Sequence, residues 1–353
     1  MSTSTPVIHR LNYIGSKFQL LNWIDDAICE KTSWETFEGK TVADIFAGTG
    51  IVSHHFRLKG ATVISNDAEL YSSIITHSFT RSVYSKKCET IIAMIQLEIA
   101  NGSHKDFAGF ISQKYSPYNG NERKFFTIEN ASRIDYIRKR IEEIKGDLTG
   151  DEYKFILASL IISADAVSNV PAVYGCFLKN FKAKANKLLA FVPIHTNTVV
   201  ASVDSVTSNC NVLDDSFISS FKADMVYLDP PYNERQYSKN YFPLNMIALT
   251  PEQQMLELPL KGKTGIPESC FISPFCRKGL VEAAFDKLFQ NLNTTWIFLS
   301  YNSESLVTKE KMLALMGKYG EVTVKDRDYK RFKSFEYNKD VAIKEYLFCL
   351  KKS

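Results

Sequence analysis

Asp224-Met225-Val226-Tyr227-Leu228-Asp229-Pro230-Pro231-Tyr232-Asn233 is the stretch whose reading decides the fold. A short, mostly apolar run leads into an acid, two prolines and an aromatic residue. Such a run, bounded by turn residues, predicts a central parallel strand covered on both faces. Neither proline can donate a main-chain N–H to a ladder, so the strand ends there. Ligands of open α/β sheets sit beyond the carboxyl ends of such strands. Asp229 and Tyr232 are therefore expected where chemistry happens.

The neighbouring segments extend this reading in both directions. Thr41-Val42-Ala43-Asp44-Ile45-Phe46 predicts the first core strand, and Ala47-Gly48-Thr49-Gly50 a turn opening a helix through Arg57. Glycines there let the chain bend sharply and let a ligand approach the main chain. A second strand over 61–65 ends in Asn66-Asp67, an acid suited to gripping ribose hydroxyls as in dinucleotide folds. Spacing alone suits a nicotinamide enzyme as well; the residues after the Asp229 strand have to decide between chemistries. Residues 12–17 read as a glycine turn before an amphipathic helix carrying Leu20, Leu21, Ile24 and Ile28. A strand over 196–203 or 209–213 is expected before Asp214-Asp215. Further strands are expected over 295–301, 322–324 and 346–349, with a helix over 309–318.

Asp229-Pro230-Pro231-Tyr232 also reads as chemistry. Methylating an exocyclic amine needs acceptors that fix the amino hydrogens and aim the nitrogen lone pair, rather than a strong base. A carboxylate and the main-chain carbonyl at Pro230 supply two acceptors, and Tyr232 a flat face for a planar base. Singly, each residue is as well explained by a cap or a packed turn; the four together after that strand are not.

With Asn12-Tyr13-Ile14-Gly15-Ser16-Lys17 and Phe46-Ala47-Gly48-Thr49-Gly50, this tetrapeptide resembles that of adenine-N6 DNA methyltransferases. The order of motifs, with the glycine-rich one first and a long insert before Asp229, is similar to the group that places target recognition in the insert. Tyr232-Asn233-Glu234-Arg235-Gln236-Tyr237 and Tyr301-Asn302-Ser303-Glu304 resemble members from type II restriction–modification systems. The resemblance covers nearly the whole chain, most weakly 86–195. It implies a doubly wound, Rossmann-like α/β sheet with an inserted, mostly helical recognition domain at 86–195, between 1–85 and 196–353. It implies S-adenosylmethionine as cofactor, held by Tyr13, Lys17, Asp44, Phe46, Gly48, Gly50, Asp67 and Asp214, with catalysis at Asp229, Pro230, Pro231 and Tyr232. The resemblance implies that Lys17 contacts the methionine carboxylate; without it, Lys17 reads as an exposed lysine at a helix start. Asp214 is chosen over Asp215 for the adenine of the cofactor, with a helix N-cap as its competing role. Cytosine-N4 enzymes more often carry Ser, and glutamine-modifying enzymes Asn, where this chain has Asp229. Methylation of another amine, and a DNA-binding subunit that no longer turns over, stay open as alternatives.

Composition sets the outer bounds. The 353 residues are 45% hydrophobic and 23% charged, as in an ordinary globular protein, with a net charge of +4. Affinity for a polyanion must then come from local patches. No apolar run approaches a membrane span or a signal-peptide core. The seven cysteines are scattered, with no CxxC pair. Reduced thiols in a cytoplasm are expected, with neither metal site nor membrane contact.

The insert reads as helical over 68–101, 128–144 and 151–169, with a loop over 102–121. Lys179, Lys182, Lys184 and Lys187 occur with no acid between 171 and 190, interleaved with Tyr174, Phe177 and Phe181. Lysines beside aromatics suit double-stranded DNA; the resemblance implies the same of the basic stretch 325–333 that holds Arg331, with an exposed hairpin tip as the alternative. A solvated lysine loop explains the first run equally well. Arg138-Lys139-Arg140 reads as a charged helix face beside Glu142 and Glu143. Residues 233–245 are expected to loop over the target base, and 258–279 to form a surface loop within reach of DNA. A restriction endonuclease acting separately is the expected companion.

Overall fold

The computed structural model describes residues 7–198, 204–329 and 343–353. In chain order its strands are β1 (Thr41–Asp44), β2 (Thr62–Asn66), β3 (Val206–Ser208), β4 (Ala223–Leu228), β5 (Thr294–Asn302), β6 (Gly320–Tyr329) and β7 (Ile343–Lys352). The α-helices are α1 (Leu21–Thr32), α2 (Ile51–Leu58), α3 (Leu70–Thr80), α4 (Lys86–Ala100), α5 (Phe110–Tyr115), α6 (Ile128–Glu143), α7 (Gly150–Ala166), α8 (Asp215–Ile218), α9 (Tyr237–Ala248), α10 (Pro251–Leu256), α11 (Val281–Asn291) and α12 (Lys309–Met316). The chain forms two compact units. One takes Met1–Ile14, His77–Val200 and Ser238–Cys270; the other takes Gly15–Thr76, Ala201–Tyr237 and Phe271–Ser353.

The second unit holds a seven-stranded sheet in the order β3-β2-β1-β4-β5-β7-β6. The first five strands in that order are parallel, and β7 lies antiparallel between β5 and β6. Side chains alternate across each strand, so Val42, Met225, Tyr227 and Phe298 meet α1 and α2 in one core. Ala43, Val226, Leu228, Ile297 and Leu299 meet α11 and α12 in the other. Covering both faces makes this a doubly wound α/β sheet, and explains the apolar run over 225–228 in β4. The strand order reverses between β1 and β4, so Asp44 and Asp229 leave adjacent strands at the switch point.

The first unit is helical. Residues 155–165 of α7 are buried without interruption, and the helix opens with a capping box in which Thr149 and Glu152 bond each other's main chain. Arg138 of α6 is buried; its guanidinium pairs with Glu142 at 2.6 Å and donates to the Leu249 carbonyl at 3.0 Å. Arg140 pairs with Glu98 at 2.9 Å. The basic triplet thus serves the helix packing.

Four local expectations are corrected. The strand before β4 is Val206–Ser208, between the two expected positions; 209–213 forms a turn, and 199–203 lie outside the described residues. Residues 237–245 belong to helix α9 rather than a loop. Burying Tyr241, Phe242, Leu244, Met246 and Ile247 outweighs the roughly 3 kcal/mol an interior proline costs at Pro243. The 102–121 loop contains α5, and the helical stretch 68–101 is two helices, α4 starting at Ser85, whose hydroxyl accepts from Cys88 N–H. Among the described residues no helix is long and apolar enough to cross a membrane.

Candidate active site

The carboxyl edge of β1 and β2 is built around main-chain capture. Gly48 and Gly50 adopt φ of +53° and +72°, the left-handed region that side chains disfavour, so this turn requires glycine. Asp67, just past β2, accepts the Gly48 N–H at 2.7 Å and the Glu69 N–H at 2.9 Å. Burial pushes its carboxyl upward against those bonds. Asn66 joins the strand ends, donating to the Cys210 carbonyl at 3.0 Å and accepting from Cys210 N–H at 2.9 Å. Asp44 is buried; one oxygen accepts from the Ser53 hydroxyl at 2.7 Å, while Oδ1 has no partner among the described residues. Burial raises Asp44 to about 7, with Asp229 and Asp67 adding to the shift and the Ser53 bond opposing it. An orphaned buried acceptor beside a glycine turn fits a polar ligand carrying hydroxyls and amines.

Beyond β4 the chain holds a buried cluster of charges. The Lys17 ammonium lies 2.8 Å from Asp229 Oδ1 and 3.4 Å from Glu345 Oε1. Lys17 is 5% exposed and the Glu345 side chain 7%. The Lys17 ammonium also donates to the Gly15 carbonyl at 3.1 Å. Burial acts to lower Lys17, but Asp229 and Glu345 outweigh it and hold the ammonium well above its ordinary range. Burial raises Asp229 to about 6, with Lys17 opposing. At neutral pH the cluster is therefore a carboxylate aimed at the strand edge and held by an ammonium. Pro230 is buried and Pro231 half-buried. Tyr232 is half-buried, and its carbonyl accepts from Leu306 N–H at 3.0 Å. A side chain at Gly15 would start 3.8 Å from the Tyr232 ring and 3.4 Å from the Tyr237 hydroxyl. Gly15 and Lys17 thus meet the 229–232 motif, far away in sequence.

The other expected residues fall in several places. Phe46 packs edge-on against Phe275 at 5.1 Å. Asp214 is exposed and occupies the N-cap position of α8 without a capping side-chain bond; its Oδ1 accepts from Asn211 at 3.1 Å. Asp215 pairs with Lys287 at 2.7 Å. Tyr13 belongs to the helical unit, stacked on Tyr241 at 4.6 Å. In that unit Lys182 is half-buried with its ammonium on the Val170 carbonyl, while Lys179 and Lys187 are exposed and Lys184 partly so. Tyr174 is buried, donating to Asp165 at 2.8 Å, and Phe177 packs on Phe125. These aromatics therefore serve the core. Arg331 lies outside the described residues.

Comparison with known proteins decides the class. Residues 13–315 match the family described as D12 class N6 adenine-specific DNA methyltransferase. The chain belongs to that family. It is 40% identical to the type II methyltransferase M.CviAII of Paramecium bursaria Chlorella virus 1, over 97% of this chain and 98% of that one. It is 35% identical to the type II methyltransferase M.NlaIII of Neisseria lactamica, over 97% and 100%. With M.FokI of Planomicrobium okeanokoites it shares 32% identity over 97% of this chain and 53% of the other. This N6-adenine DNA methyltransferase therefore carries its family motifs on the sheet described above.

Sequence reasoning missed Asn66, Ser53 and Glu345. Only Glu345 left a signal: on β7 the buried alternation Ile343, Glu345, Leu347, Cys349 holds one charged residue on an inward face.

Proposed function

We propose that this methyltransferase uses S-adenosylmethionine to methylate N6 of an adenine extruded from a specific duplex sequence. Asp67, Asp44 and the main chain at Gly48 and Gly50 would hold the cofactor, with Phe46 and Asp214 bordering its adenine. The cofactor supplies a methyl group already activated on a sulfonium, so the protein's task is positioning and electrostatics. Asp229 accepts one N6 hydrogen and the Pro230 carbonyl the other, turning the nitrogen lone pair toward the methyl group. Pro231 stiffens the turn, and Tyr232 stacks on the base, offsetting part of the few kcal/mol that extrusion costs. The helical unit would read the DNA, with Lys179, Lys184 and Lys187 on phosphates. The enzyme would act as the modification partner of a restriction endonuclease that works separately on the same sequence.

The observation that carries this reading is the half-buried Asp229 carboxylate at the end of β4, held at 2.8 Å by Lys17. The test is incubation of mixed-sequence duplex DNA with the protein and methyl-labelled S-adenosylmethionine, followed by nucleoside analysis. Label in N6-methyldeoxyadenosine is expected. Label in N4-methyldeoxycytidine or in protein glutamine would replace the reading, and no transfer at all would favour a binding subunit.

A further inference from the structure

We propose that Glu345 is a positioning residue for the reaction at Asp229: it takes up the charge of Lys17, so that Asp229 stays a strong acceptor for the amine and for the proton the amine sheds. This rests on the assignment of Asp229 as the N6 acceptor. Glu345 lies beyond residue 315, where the family match stops.

The geometry is that of one cation shared by two acids. Glu345 stands on β7 opposite Asn302 of β5, and its Oε1 lies 3.4 Å from Lys17 and 3.2 Å from the Ser300 hydroxyl. A buried lysine needs one carboxylate to balance it. Asp229, 20% exposed, already supplies it; Glu345, more deeply buried at 7%, adds desolvation cost that an apolar residue at this inward β7 position would avoid. The trio keeps a net charge of −1 at the edge where a sulfonium methyl donor and an amine would meet.

The reaction gives that surplus charge a task. As the N6–C bond forms and the S–C bond breaks, N6 becomes cationic, with two hydrogens and a methyl group, and must lose one proton. The proton passes to the Asp229 carboxylate, which becomes a neutral acid and returns it to water once product leaves. Lys17 alone would make Asp229 a weaker base; a like charge on Glu345 opposes that. The groups facing Asp229 are Lys17 from the segment before α1, Glu345 from β7, Tyr227 from β4, Asp44 at the end of β1, and Tyr232.

The test compares wild type with Glu345→Gln and Glu345→Asp. Two measurements are made: steady-state methylation of duplex DNA across pH, and 13C titration of Asp229 in cofactor-free protein labelled at aspartate carboxyls. Glu345→Gln should lower kcat roughly 10- to 100-fold with KM for DNA unchanged. Its acid limb and the Asp229 titration should both move to lower pH. Glu345→Asp should recover most of the rate and most of the titration shift. An unmoved titration with wild-type kcat overturns the proposal. So do equal losses in both variants with the titration unmoved, which would make Glu345 a packing residue. Should Glu345→Gln fail to fold, the Asp variant carries the test: a small downward shift of Asp229 supports the proposal and none overturns it. A wild-type protein that methylates no adenine would instead remove the reading beneath it.

Discussion

The segments 12–17 and 171–190 both offer lysines as ligand contacts, yet the structure uses them in opposite ways. Lys17 is buried and shared by two carboxylates, which keep it charged against its burial. Lys182 is half-buried with its ammonium on a carbonyl, and burial lowers it, with Lys184 adding to the shift and Asp165 opposing it. Lys179 and Lys187 stand in solvent, so their electrostatics are screened and sequence-independent. A lysine's role follows from what is buried with it: carboxylates make a fixed charge for chemistry, water makes a phosphate contact or nothing.

The sharpest way to break this contrast is to remove Lys17. Lys17→Met leaves one buried and one half-buried carboxylate with no cation and should destabilise the fold by about 3–5 kcal/mol. Those carboxyls would then titrate above their unfolded values, so stability should be greatest in acid and fall as pH rises through the folded pKa values. Urea unfolding at several pH values checks this; a small loss independent of pH would mean the trio is loosely held. Asp229→Ala should lower turnover roughly 100- to 1,000-fold with calorimetric binding of S-adenosylmethionine nearly unchanged. Tyr232→Ala should lose about 1–3 kcal/mol of base stacking while Tyr232→Phe keeps most activity. A mismatched target adenine should partly rescue the Ala variant's binding. The smallest effect belongs to the surface. Lys184→Ala with Lys187→Ala should flatten the salt dependence of DNA affinity by about one unit of slope per lost contact. Lys182→Ala should leave that slope alone; a flattened slope there would erase the distinction between the two regions.

The sheet was legible because its strands carry their own punctuation: apolar runs closed by glycine at 48 and 50, by an acid at 67, and by proline at 230 and 231. Asp229, Tyr232 and the glycine turn were legible for the same reason. Partnerships were not. Nothing local in Lys17 points to Asp229 or to Glu345, because the three meet only when the 12–17 segment, β4 and β7 are brought together. Asn66 looked like a neighbour of Asp67, although its amide ties the Cys210 turn to β2. Helix α9 was hidden by Pro243, whose local cost is overridden by tertiary burial. Tyr174 and Phe177 read as a nucleic-acid face because aromatics between lysines look alike whether they point inward or outward; Asp165 and Phe125 decide it.

The account rests on Asp229 acting as a carboxylate, and the pH dependence of single-turnover methyl transfer tests that most directly. Burial sets Asp229 at about 6 against the pull of Lys17. The protonated acid presents a donor where the amine needs an acceptor. The rate of the wild-type protein, saturated with DNA and S-adenosylmethionine, should be level above about pH 7 and fall toward tenfold per unit well below 6. A rate that stays level down to about pH 4.5 in a still-folded protein would contradict it.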